Sequence, residues 1–228
     1  MKWDQIAEKV APYVVKIETP NGSGTGFLCF YNEDKTICGV ATALHVVSHA
    51  DEWQQPIKIN HIHSGKVSLL QENSRFIYIN WKTDSAVILF HVGDLPFPRT
   101  PIPLLPVDTP ITIGNEVGWF GFPGIEPYTL CFFSGNISAY RHDTNAYLID
   151  GVAINGVSGG PVIYSTDADG VQVVGIISAY QANQLGHETL PGLSIAQDVS
   201  YFHDVIQHEN SIEEAKKKEK QITQDTEN

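Results

Sequence analysis

No apolar run in this 228-residue sequence approaches the roughly 20 residues that a membrane-spanning helix needs, so no stretch is a candidate for one. Positive charge is scarce. The 14 Lys and Arg against 26 Asp and Glu leave a net charge of −12. That balance argues against nucleic acid or an anionic membrane surface as the main partner. Cysteine is scarcer still: Cys29, Cys38 and Cys131 form an odd set without C-x-x-C spacing. Neither a disulfide framework nor a zinc site is indicated, and no metal or cofactor is expected. The opening residues Met1 to Lys9 lack the apolar stretch of a secretory signal, so the sequence reads as cytoplasmic. What it does have is 42% hydrophobic residues, enough for a packed core.

Trp3, Ile6 and Val10 give a short amphipathic helix ending at Pro12. Strand-like segments follow at 13–18, 25–31, 36–41, 57–62, 66–70, 75–80 and 86–92, punctuated by turn residues such as Pro20 to Gly24. Residues 93–110 carry Pro96, Pro98, Pro101, Pro103, Pro106 and Pro110 and are expected as an extended linker. Strands resume at 116–122, 129–133, 136–140, 146–150, 152–154, 161–164, 171–178 and 193–196. The pattern predicts an all-β fold of two antiparallel lobes, the first about 13–92 and the second about 111–197. Val199, Phe202, Val205 and Ile206 mark a closing helix over about 198–209. The polar tail 211–228 is expected as frayed helix or disorder, its Lys216 to Lys218 run a solvated face.

One stretch invites a chemical reading: Gly156-Val157-Ser158-Gly159-Gly160-Pro161. Glycines on both sides suit a serine presented on a tight, sterically bare turn, though a plain Gly-rich hairpin turn has the same letters. A serine hydroxyl is a poor nucleophile without a base beside it. His45 supplies a candidate, at the end of a strand among the small residues Ala41-Thr42-Ala43. Asp84 supplies a carboxylate at the opening of the apolar strand Ala86 to Leu89. His61-Ile62-His63 puts two imidazoles on one strand face, read as exposed strand because no third ligand stands out. Cys29 and Cys38 flank a hairpin and are expected as packed thiols, neighbours if the hairpin register allows.

Thr42-Ala43-Leu44-His45, Asp84-Ser85-Ala86-Val87 and Gly156 to Pro161, in that order, resemble the chymotrypsin/trypsin-like serine proteases. Gly22-Ser23-Gly24-Thr25-Gly26-Phe27, Gly121 to Gly124 and Ser134 to Ser138 are most similar to the bacterial HtrA/Do-like branch. The resemblance spans about residues 13–206 and implies two six-stranded antiparallel β-barrels of the chymotrypsin type. It implies a serine endopeptidase acting on peptide or protein substrates. Ser158 would be the nucleophile, His45 the base within hydrogen-bond reach of Ser158 and Asp84, and Asp84 the group that orients the imidazole. Gly156 and Ser158 would supply the oxyanion hole.

The same resemblance sets Ser178, Ala179 and Tyr180 along the strand that pairs with substrate, and Val152 and Gly192 around the pocket for the P1 side chain. Tyr180 is expected to narrow that pocket, and the missing carboxylate at its base implies small or medium apolar P1 residues. Val157 departs from the family pattern, which has Asp or Asn beside the nucleophile, and leaves open how the loop is held. About twenty polar residues after Ile206 are too few for the PDZ domain common in the HtrA branch. A regulatory protein partner is one expectation that follows. The competing expectation is a catalytically quiet module that binds peptide or protein in the same cleft.

Overall fold

The computed structural model describes residues 2–107, 109–185 and 188–226. The first lobe consists of β1 (Val14–Thr19), β2 (Gly22–Tyr31), β3 (Ile37–Ala43), β4 (Ile57–His61), β5 (Lys66–Leu70), β6 (Arg75–Asn80) and β7 (Ser85–His91). They form one antiparallel sheet in the order β5-β4-β1-β2-β3-β7-β6. The second lobe comprises β8 (Glu116–Gly121), β9 (Cys131–Arg141), β10 (Ala146–Asp150), β11 (Pro161–Thr166), β12 (Gly170–Leu185) and β13 (Glu188–Asp198). These close into a barrel in the order β10-β13-β12-β11-β8-β9. The two-lobed, chymotrypsin-like all-β architecture is the one the sequence implies. The first lobe differs in detail, with seven strands curled as a half-barrel whose edges β5 and β6 are not paired to each other.

Why the central strands lack a polar face follows from where their two faces go. Side chains alternate between the faces of a strand. On β7, Ala86, Ile88 and Phe90 fill the interior of the first lobe, while Val87 and Leu89 join a second cluster shared with the other lobe. On β1, Val15 and Ile17 point one way and Val14 the other. A register shift in β2 after Leu28 breaks the alternation, so Cys29 and Phe30 share the inter-lobe side. That bulge also separates the two thiols, since Cys38 pairs with Tyr31 and packs inside the first lobe. Both are buried and free, and burial raises both thiol pKa values, Cys38 to about 12.

Three helices complete the chain. In α1 (Trp3–Val10), Ile6 and Val10 are buried four apart, as their spacing requires. The sequence reading has no counterpart of α2 (Leu44–Glu52), which follows β3 directly and buries Leu44, Val47 and Ala50 in the first lobe. The long α3 (Ser200–Thr226) runs through the polar stretch expected as frayed helix or disorder. Its Phe202 ring meets Phe27 edge-on at 6.3 Å, and Tyr78 of β6 donates to Glu209 at 2.5 Å. Beyond the apolar turns, the Glu213 carboxylate accepts from the Glu33 backbone and Lys217 pairs with the Glu33 carboxylate. The helix that follows β13 of the second lobe thus grips the first.

Other differences have local causes. Residues 129–140 do not make two strands, because the Gly135 region stays in register against β8 and β9 runs through it. Residues 152–154 are not a strand; they lead into the turn that carries Ser158. His61 ends β4 and is buried: Ser64 is hydrogen-bonded to its Nδ1 at 2.7 Å and the Pro12 carbonyl to its Nε2 at 2.8 Å. His63 lies in the exposed turn that follows, so the pair is not an exposed strand face. Residues 93–107 form no helix or strand; Leu104 bridges Val173, and Leu105 N–H donates to Val173 O in β12.

A charged network lies on β1 and β4. Lys16 is 3% exposed, bonds Glu18 at 2.6 Å and sits 4.2 Å from the Tyr128 ring of the loop after β8. Lys58 and Asn60 also bond Glu18. Burial alone would raise the Glu18 pKa, but Lys16, Lys58 and Asn60 outweigh it and bring the value down to about 2. A depressed folded-state pKa gives stability that is complete above the unfolded value and lost as pH falls through the folded one. Glu18→Gln is therefore expected to lower stability at pH 7 and to flatten its decline between about pH 5 and 2. The expected cost in urea melts is about 1–3 kcal/mol, less than for a fully buried pair because Glu18 retains 22% exposure.

Candidate active site

The cleft lies where the lobes meet. His45 is the second residue of α2, and Asp84 ends the turn before β7. Asn80 Oδ1 shapes that turn by accepting from the N–H groups of Lys82 and Thr83. Asp84 takes φ +47°, a left-handed conformation that Asp tolerates better than most residues. Its carboxylate holds His45 twice, accepting from Nδ1 at 2.7 Å and from the His45 backbone N–H at 3.0 Å. The Asp84 carbonyl accepts from Leu44 N–H at 2.9 Å, fixing the start of α2 against the same turn. Ser178 Oγ–H, from β12 of the other lobe, donates to Asp84 Oδ2 at 2.6 Å. Burial pushes the Asp84 carboxyl up, but hydrogen bonds from His45 and Ser178 outweigh it and bring the pKa below its ordinary value. An ionised carboxylate on Nδ1–H leaves the Nε2 lone pair free to accept a proton.

Ser158 lies across a cleft of about 620 Å³ that His45 also lines. The expected hydrogen bond between them is not formed: among the described residues Ser158 Oγ has no hydrogen-bond partner. Structures without substrate often have this contact long.

The backbone around Ser158 is tied down nearly everywhere. Asn155 O accepts from Gly124 N–H, Gly156 O from Thr25 Oγ1–H, Val157 O from Gly160 N–H, and Ser158 O from Thr25 N–H. The N–H groups of Val157, Gly159 and Gly160 donate to Ile154, Ile177 and Val157 carbonyls. Those of Gly156 and Ser158 have no acceptor among the described residues. A trans peptide aims C=O and N–H in opposite directions, so holding Asn155 O on Gly124 turns the Gly156 N–H the other way. Gly156 has φ +93° and Gly159 φ +83°, and a Cβ would strike Phe122 O at the first and Thr25 O at the second. Val157 is fully buried in the inter-lobe cluster, in space that Gly121 leaves open. Apolar packing thus occupies the place beside Ser158.

The cleft is lined by Val152, Ala153, Ile154, Asn155, Ile177, Ser178, Ala179 and Tyr180, with Gly124 and Ile125 at one side. No acidic residue is among them. Of the residues assigned to substrate binding from the sequence, Gly192 alone does not line the cleft; its N–H donates to the Tyr180 hydroxyl at 2.6 Å and pins that ring. Missed by the sequence reading were Thr25, Gly124 and the bond from Ser178 to Asp84. The first two lay within quoted motifs, but no letter pattern gives their hydrogen bonds.

A two-lobed chymotrypsin-like β protein with a His–Asp pair facing a serine across the inter-lobe cleft is the class defined by this fold and site. The model of the trypsin-like peptidase domain matches residues 24–176, and the chain belongs to that family. Similar solved structures include Deg5, at 18% identity and TM-score 0.64 over 90% of this chain and 94% of that one. A serine endoprotease from Yersinia pestis has 21% identity and TM-score 0.65 over 92% of this chain and 66% of its own. An inactive form of Rv3671c from M. tuberculosis has 18% identity and TM-score 0.61 over 90% of each chain. No curated protein sequence matches the chain.

Proposed function

We propose that the protein is a serine endopeptidase in which Ser158, His45 and Asp84 act together. Ser158 Oγ attacks the scissile carbonyl while His45 Nε2 takes its proton, and the resulting oxyanion accepts from the N–H groups of Gly156 and Ser158. His45 then protonates the leaving amine, and the acyl-enzyme is released by a water molecule activated the same way. Donors of this kind stabilise the transition state by about 3–4 kcal/mol each. The observation that carries the reading is the 2.7 Å bond from Asp84 to His45 Nδ1 beside a serine whose loop leaves two N–H groups unused. The substrate backbone would add to the free side of β12 at Ser178 to Tyr180, giving main-chain hydrogen bonds.

Apolar lining without a carboxylate supports small or medium apolar P1 residues. Tyr180→Gly, which removes the pinned ring, is expected to raise kcat/KM for Phe at P1 relative to Val about tenfold or more. Cleavage sites dominated by Lys or Arg in a peptide-library profile would refute this preference.

A quiet binding module is favoured by one observation, the missing bond between Ser158 and His45. Labelling with a fluorophosphonate separates the two readings. An endopeptidase labels as wild type and not as Ser158→Ala; an absence of labelling in the wild type supports the module.

A further inference from the structure

Thr25 lies in β2 of the first lobe, yet most of its polar atoms serve the second. It is fully buried. Its N–H donates to Ser158 O at 2.8 Å and its Oγ1–H to Gly156 O at 2.8 Å. The same Oγ1 accepts from Phe122 N–H at 3.0 Å, two residues before the Gly124 that holds Asn155 O. Its own carbonyl accepts from Thr42 Oγ1–H at 2.7 Å, on the strand that leads to His45. One residue thus fastens the carbonyls on either side of Val157, the segment after β8 that carries Gly124, and the strand before the imidazole.

The free N–H groups share peptide planes with Asn155 O and Val157 O, which Gly124 and Gly160 hold, and Thr25 fixes the planes next to these. Gly156 O and Val157 N–H share one peptide plane, held at one end by Thr25 and at the other by Ile154 O. That plane lies between the two that carry the free N–H groups, so fixing it restricts rotation of the loop about Gly156, which glycine at φ +93° would itself permit. Val157 adds no polar anchor, since its side chain is in the apolar core. Without the Thr25 hydroxyl, Gly156 O would be left buried and unpaired, and the plane would turn to find another donor.

We propose that Thr25 is the positioning residue of the oxyanion site, its hydroxyl setting the direction of the Gly156 and Ser158 N–H groups from the neighbouring lobe. The inference rests on the endopeptidase reading of Ser158. Thr25→Val keeps the shape and removes the donor. With a fluorogenic peptide amide carrying Val at P1, it is expected to lower kcat about 30–100-fold and to move KM less than about threefold. The matching peptide boronic acid, which forms a tetrahedral adduct, should lose affinity in parallel with kcat, while the product peptide acid should bind as to wild type. Thr25→Ser should restore kcat to within about threefold, because the hydroxyl returns.

Wild-type kcat in Thr25→Val would overturn the proposal, as would equal losses of boronate and product-peptide affinity. Should Thr25→Val fail to fold, Thr25→Ser against Thr25→Cys decides. A thiol is a weak donor, so Cys is expected at least about tenfold below Ser in kcat, and equal rates refute the proposal. A wild type that takes no fluorophosphonate label refutes the endopeptidase reading instead, so the two failures are distinct.

Discussion

Alanine at Ser158 is expected to lower kcat for peptide hydrolysis by about 10⁶, alanine at His45 to do the same, and the double variant to be no slower than either single one. The reason is that in the proposed mechanism the two groups perform one step. Without His45 the hydroxyl keeps its proton, and without Ser158 the base has nothing to activate in the first half of the reaction. Residual rate over the uncatalysed reaction would come from the oxyanion donors and from substrate held along β12. Single-turnover assays of the three variants on one peptide amide are the measurement. Losses that multiply in the double variant would mean that the residues act independently and would end the proposed mechanism. Neither residue is part of the apolar core, so melting temperatures should remain near that of the wild type.

Asp84→Asn is expected to cost about 10⁴ in kcat with the fold intact. The size follows from the proton inventory of the site. Asp84 Oδ2 accepts from His45 Nδ1 at 2.7 Å and from Ser178 at 2.6 Å, and Oδ1 accepts from the His45 backbone. An amide in the same place must turn either its oxygen or its NH₂ toward the ring. The His45 backbone N–H cannot turn and keeps the oxygen at its end, while the Ser178 hydroxyl can rotate to accept, so the NH₂ faces Nδ1. That forces the proton onto Nε2, where it blocks acceptance from Ser158. Asp84→Asn should therefore keep KM near its wild-type value while kcat falls. A KM that rises in step with the loss of kcat would point to collapse of the cleft instead.

The letters around His45, Asp84 and Ser158 were enough to place the two lobes and to bring an imidazole and a carboxylate together, because each sits in a short segment of distinctive composition. What composition does not carry is direction. The seven residues after Asp84 show only that a strand is apolar; that it is apolar on both sides because each side meets a different core required the packing. The polar turns after Ser211 hold helix through Glu213 and Lys217 against Glu33, a partner far away in sequence. Residues 152–154 are β-branched enough to read as strand, yet their place in the wall of the cleft keeps them out of the ladder. Val157, unexplained as a letter, is explained as a volume, since Gly121 makes room for it. Gly192 was placed by its likeness to a pocket wall, and its N–H is instead committed to Tyr180.

The position of α3 has a consequence in time. Phe202 and Val205 belong to the same cluster as Val87, Val157 and Phe27. Both lobes leave the ribosome before that helix exists, and domains fold as their residues emerge. Until α3 docks, the apolar cluster that contains Val157 is missing part of its filling. A nascent chain carrying every residue of the cleft is thus still without part of the core that the lobes share, and the proposed hydrolytic activity would come only once α3 has docked.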